Sequence, residues 1–147
     1  MSTGSDQVFV VVCRYGQFWI VGSDFGVTDA RLYIMKIIRK NKTVKTDRLQ
    51  PCMRIALITV CNVYAEYGQK EVVVTAGNEC WTVKGVWIHS PGSLHPYGLA
   101  IDIRTRVFSS EDKLIVYKAL RDILKPLGFD VVMHSTHIHI ENQRAIE

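Results

Sequence analysis

From residue 98 to residue 104 apolar and polar side chains alternate. Leu99, Ile101 and Ile103 fall on one side, and Ala100, Asp102 and Arg104 on the other. The alternation returns in His137-Ile138-His139-Ile140-Glu141. A period of two is the mark of a half-buried β-strand. Any fold for this chain must therefore bury the isoleucines of two strands on one face and present Asp102, His137 and His139 on the other.

The remaining segments arrange themselves around those two strands. Val8–Arg14 and Gln17–Val21 are β-rich runs joined at Tyr15-Gly16, which predicts a tight hairpin. Residues 30–39 mix strand and helix signals. Residues 47–67 are helical, with Leu49, Met53, Ala56, Leu57, Val60 and Tyr64 at spacings of three and four, Pro51 in the first turn and Gly68 as the stop. A short buried strand follows at 71–75, then a long connection from 76 to 93, and connections of that length are usually functional. Ser109-x-x-Asp112 opens a second helix, with Tyr117, Leu120, Leu124 and Leu127 as its stripe and Gly128 as its stop. Strands at 129–133 and 137–141 complete the chain. The order β-β-α-β-loop-β-α-β-β has no repeating β-α-β rhythm, which predicts an α+β domain with a mainly antiparallel sheet and two principal helices.

A chain of 147 residues with 48% hydrophobic residues is the size of one globular domain, and its core needs no disulfide or structural metal. No apolar run reaches the roughly 18 residues of a membrane span. The start, Met-Ser-Thr-Gly-Ser-Asp, has no basic leader region, which predicts a protein made and left in the cytosol. Cys13, Cys52, Cys61 and Cys80 are scattered among apolar neighbours and read as buried free thiols. Residues 29–54 hold eight basic side chains against two acidic ones, more than the whole chain's formal charge of +4. Such a stretch suits nucleic acid, an anionic wall polymer or a membrane surface, but without interleaved aromatics a solvated face is the favoured reading and nucleic acid ranks last.

All five histidines lie at or beyond position 89. His95, His134, His137 and His139 fall at strand ends or in neighbouring loops, together with Asp102. A half-buried carboxylate needs a partner. For Asp102 that partner is either a metal ion or Arg104, two residues along the same face. On spacing alone a His-x-His on a strand is more often a solvated or hydrogen-bonded pair than a metal site. Two histidines and one aspartate make a complete protein ligand set for a catalytic zinc.

Ser93-x-His95-x-x-Gly98-x-Ala100-x-Asp102, followed by His137-x-His139, resembles the zinc peptidases of the D-alanyl-D-alanine carboxypeptidase, lysostaphin and hedgehog superfamily. Within it the chain looks most like small bacteriophage peptidases of the carboxypeptidase branch, many of them L-alanyl-D-glutamate endolysins. The similarity covers residues 47–141. The whole of 1–147 then reads as one domain with 1–46 an N-terminal hairpin extension. Carried over residue by residue, the resemblance implies that His95, Asp102 and His139 ligate zinc and that His137 stands beside the open coordination position as a catalytic residue. Ser93 borders the substrate cleft, or else caps its own turn. Gly98 and Ala100 keep the metal's surroundings clear.

The chain departs from that pattern twice. Relatives carry a carboxylate as general base three to five residues before the last zinc histidine; here those positions are His134, Ser135 and Thr136. His134 is either its replacement or an ordinary strand-end histidine. Nor does any arginine occur in residues 71–93, where several relatives bind substrate with one; Lys84 is the only Lys or Arg there. Glu141 either orients a ligand from behind or is an exposed strand-end charge. The expected function is zinc-dependent hydrolysis of a peptidoglycan stem peptide, at L-Ala–D-Glu or D-Ala–D-Ala, by a phage enzyme released to the wall or carried on the virion. The alternative is a metal-binding structural or tail-associated module without hydrolysis. The oligomeric state is silent in the sequence.

Overall fold

The computed structural model describes residues 8–14, 17–21, 32–80 and 85–146, with side chains from 35 to 80 and from 85 to 144. The Tyr15-Gly16 turn, Lys84 and the side chain of Cys13 fall outside them. The elements run β1 (Val8–Arg14), β2 (Gln17–Val21), β3 (Leu32–Arg39), α1 (Pro51–Glu66), β4 (Glu71–Ala76), β5 (Ala100–Arg104), α2 (Ser110–Leu124), β6 (Phe129–Met133) and β7 (His137–Asn142). The strands form one mixed sheet in the order β2-β1-β3-β4-β5-β7-β6. Only β3 and β4 pair in parallel; the other pairings are antiparallel. The architecture is α+β, and no helix among the described residues is long and apolar enough to cross a membrane.

Of the ambiguous stretch 30–39, Leu32–Arg39 forms strand β3, and that changes the topology. β3, α1 and β4 make a single β-α-β unit, because two parallel neighbours need a crossover and α1 supplies it. Within the N-terminal part of the chain, β1, β2 and β3 continue the same sheet. β4 lies at its centre, which is why Val72, Val73 and Val74 are buried in succession instead of alternating.

Both helices meet this sheet around one core. Met53, Val60 and Tyr64 of α1, and Val116, Leu120 and Leu124 of α2, pack with Val74, Ile101, Ile103, Ile138 and Ile140. The expected stripe of α2 needs correction at both ends: Val116 takes the buried place, Tyr117 is only partly buried, and Leu127 is 53% exposed in the 3-10 turn after the helix. The cap behaves as its sequence predicts, with the Ser109 hydroxyl accepting from the Asp112 N–H at 3.0 Å. Of the described cysteines, only Cys61 is fully buried. Burial pushes its thiol up to about 12, which leaves it unreactive in the folded protein.

Gly98 has a role in the fold that the sequence did not show. Its φ of +69° is left-handed, and a Cβ there would collide with the backbone carbonyl of Arg48. It lets the turn carrying His95 sit against the approach to α1, where Gln50 N–H donates to Gly98 O at 2.9 Å. Gly98→Ala should therefore lower stability by about 2 kcal/mol or more. A urea midpoint equal to that of the parent protein would contradict this.

Candidate metal centre

The sheet face away from the helices carries the site. β5 and β7 are in register so that Asp102 lies opposite His139 and Arg104 opposite His137. His137, His139 and Glu141 point to this face while Ile138, Ile140 and Asn142 are buried on the other. A 3-10 turn, His95–Tyr97, brings the third element over the strands, with His95 only 4% exposed.

The three side chains converge on the Asp102 carboxylate. His139 Nδ1 lies 2.7 Å and His95 Nε2 3.4 Å from Asp102 Oδ1. One donor atom from each of His95, Asp102 and His139 falls within 4.8 Å of the others, making a group able to hold a metal ion. The opposite ring nitrogens are already committed. His95 Nδ1 lies 2.7 Å from Gly77 O, and His139 Nε2 lies 3.1 Å from Glu141 Oε2. Such outer partners fix the tautomer and aim the inner nitrogen, the usual support of a metal-binding histidine. The donor set and its backing thus fit a divalent cation with mixed nitrogen and oxygen preference, zinc among them.

The electrostatics follow from this crowding. Burial works to raise the Asp102 pKa, but hydrogen bonds from His139 and His95 and their charges outweigh it and hold the carboxyl below its usual range. For His139 burial favours the neutral ring, yet Asp102 and Glu141 prevail and its pKa is raised. His137 shifts the other way. Its burial, helped by the charges of His134, His139 and His95, exceeds the pull of Asp102 and lowers it.

Two alternatives left by the sequence are decided by these contacts. Arg104 does not partner Asp102, whose neighbours are His95, His137 and His139. Glu141 is only partly exposed and bonded to His139 and Gln143, not a loose strand-end charge. If it aims His139, Glu141→Gln should weaken zinc binding by about 10- to 100-fold. Competition against a chromogenic chelator reads this directly, and an unchanged constant would remove Glu141 from the site.

His137 stands at the edge of the set, with Nε2 3.7 Å from Asp102 Oδ2 and Nδ1 3.2 Å from Thr136 Oγ1. His134 is exposed, and its ring stacks on His137 at 4.5 Å between centroids. The turn between them is closed by His134 N–H donating to His137 O, and Lys113 of α2 clamps it by donating to the carbonyls of His134 and Ser135 at 2.6 Å each. The Ser93 hydroxyl accepts from the His95 N–H at 3.4 Å, as a turn cap does.

No family model and no curated protein matches the chain. The site's chemistry rests on its own geometry.

That geometry includes residues the sequence did not single out. The carboxylate of Glu79, 8% exposed, accepts from the N–H groups of Gly77 and Lys45, and so fixes the carbonyl that receives His95. His89 stacks on the His95 ring at 4.5 Å, and its Nε2 is buried without a hydrogen-bond partner, 4.0 Å from Glu79 Oε1. Both lie in or beside the long connection, but neither has a periodicity that could mark it.

Proposed function

We propose that this chain is a zinc-dependent peptidase that cuts the stem peptide of peptidoglycan, at its L-Ala–D-Glu or D-Ala–D-Ala bond, with the fold of the D,D-carboxypeptidase and hedgehog superfamily. The observation that carries the reading is the convergence of His95 Nε2, Asp102 Oδ1 and His139 Nδ1 with their outer nitrogens already occupied. The same residues carry the sequence resemblance, in the same order. His95, Asp102 and His139 would hold the metal. Zinc, when bound, polarises a carbonyl and lowers the pKa of water toward about 7.

The remaining work falls to the chain's own groups. His137 has a lowered pKa and is neutral near pH 7, so a ring nitrogen is free to take a proton beside the ligand set. No carboxylate lies among His134, Ser135 and Thr136, and His137 fills the role of general base. His134 braces it face to face and is a positioning residue. The chain acts on the wall after release from the cell or as part of a virion.

The test is release of free amino groups from purified sacculi by zinc-loaded protein, set against His95→Ala. Release that disappears in His95→Ala, and falls sharply in His137→Ala with zinc retained, supports the reading. No release above the control, with zinc still bound, would instead identify a metal-holding structural or virion-associated module.

A further inference from the structure

The turn between β6 and β7, residues 134–136, has each of its backbone carbonyls taken by a donor from elsewhere in the fold. Lys113 Nζ donates to His134 O and to Ser135 O at 2.6 Å each, and Thr105 N–H donates to Thr136 O at 3.1 Å. His134 N–H closes the turn by donating to His137 O at 2.9 Å. The two outside anchors differ in kind. Thr105 directly follows β5, so its bond extends the β5–β7 ladder by one step. Lys113 belongs to α2 and reaches the turn from 21 positions away in the chain.

Local rules do not favour a lysine at this place in α2. It follows Glu111 and Asp112 at the helix N-terminus, the end whose dipole disfavours a cation, and fixing its long side chain costs rotamer freedom. Two charge-assisted bonds to adjacent carbonyls offset both terms. The base of the clamp is itself held, because Lys113 N–H donates to Ser109 O at 2.9 Å and the Ser109 hydroxyl caps the same turn of helix. What the clamp grips is the backbone that carries His134. The His134 ring stacks on His137 with 18° between planes and meets His139 edge-on at 6.4 Å. His134 is exposed, so burial does little to fix that ring, and its backbone must do so.

We propose that Lys113 is a positioning residue for proton transfer at this centre: by gripping the His134 and Ser135 carbonyls it holds the His134 ring against His137, and so keeps His137 beside the ligand set, with Nε2 3.7 Å from Asp102 Oδ2. Proton transfer by His137 rests on the peptidase reading, whereas the clamp and the stacked rings stand without it. Lys113 acts through the backbone of the turn and not on a reacting atom. The start of α2 is thereby coupled to the opposite face of the sheet, although the rest of that helix serves the core.

The experiment compares Lys113→Met, Lys113→Arg and Lys118→Met in zinc-loaded protein, Lys118 being an exposed cation elsewhere on α2. Ring-proton cross-peaks between His134 and His137 in nuclear Overhauser spectra read the stack, and chelator competition reads zinc affinity. Lys113→Met should lose the cross-peaks, while zinc affinity and the methyl shifts of the core stay those of the parent. On sacculi its kcat should fall by about 10- to 100-fold with KM unchanged, the effect of displacing a reacting group by about 1 Å. Lys113→Arg keeps the charge and offers paired donors, so it should recover both readouts. Lys118→Met should change neither. Cross-peaks that persist in Lys113→Met, zinc lost together with them, or an unchanged kcat where the parent cleaves would overturn the proposal. The stack is read without hydrolysis, so lost cross-peaks with zinc retained, in a protein whose parent releases nothing from sacculi, support the clamp and reject only the peptidase reading.

Discussion

Asp102→Asn is expected to lower zinc affinity by more than about 100-fold, beyond the loss typical of an outer partner, and to bring sacculus cleavage to the background level. Asp102 is the hub of the site: its Oδ1 faces both His95 and His139, and its Oδ2 faces His137. Asparagine preserves the shape but removes the negative charge that offsets a divalent cation and holds the two ligand rings. Asp102 is also the central residue of its strand pairing, opposite His139, so the substitution leaves the β5–β7 ladder in place. Zinc content after dialysis and a chelator competition measure the effect. Retention of stoichiometric zinc at micromolar free metal would rule Asp102 out as a ligand.

The second large effect is a dependence of metal binding on pH. The metal-free protein favours protonated His139, because Asp102 and Glu141 both gain from its charge and raise its pKa above the ordinary value of 6.5. A protonated ring cannot ligate, so zinc must displace that proton, and affinity should fall by about tenfold per pH unit below the raised pKa. The sign for stability is opposite in the two forms. A folded-state pKa above the unfolded one contributes stability to the metal-free protein at low pH, and that contribution is lost as pH rises through the folded value. The zinc-bound form has no such proton to lose. The rise in melting temperature on adding zinc should thus grow as pH rises from 6 toward the raised pKa of His139 and level off above it. A rise that is flat or shrinks over that interval would show that His139 titrates independently of the metal.

Much of this centre was legible in the alternation of two strands. Period two sends Asp102, His137 and His139 to one face whatever the rest of the chain does, and the register of β5 with β7 then sets Asp102 beside His139. Helix α1 was legible because Pro51 and Gly68 mark its ends, and β6 because its bounds are set by Gly128 and the turn at His134. What stayed hidden depends on contacts between distant segments. The parallel pairing of β3 with β4 joins residues 35 positions apart, and residues 30–39 carry no pattern of their own that favours strand over helix. Glu79 looks like any loop carboxylate until Lys45 and Gly77 are seen to donate to it. Arg104 looks like the natural partner of Asp102 until three imidazoles take that place.

The hydrogen bonds of Glu79 also say where this protein can be cut. Its carboxylate joins Lys45 N–H to Gly77 N–H, while Gly77 leaves no room for a Cβ beneath the Lys45 carbonyl and offers its own carbonyl to His95. The sequence resemblance starts only at residue 47, yet the alignment of His95, a candidate ligand 50 positions further along, is referenced to the backbone at residue 45. A fragment trimmed to the motif-bearing stretch would lose that reference together with β3, the strand that covers one edge of β4. The smallest portable unit of this centre therefore begins upstream of its own signature, and grafting or shuffling the motif alone would transfer the ligands without what aims them.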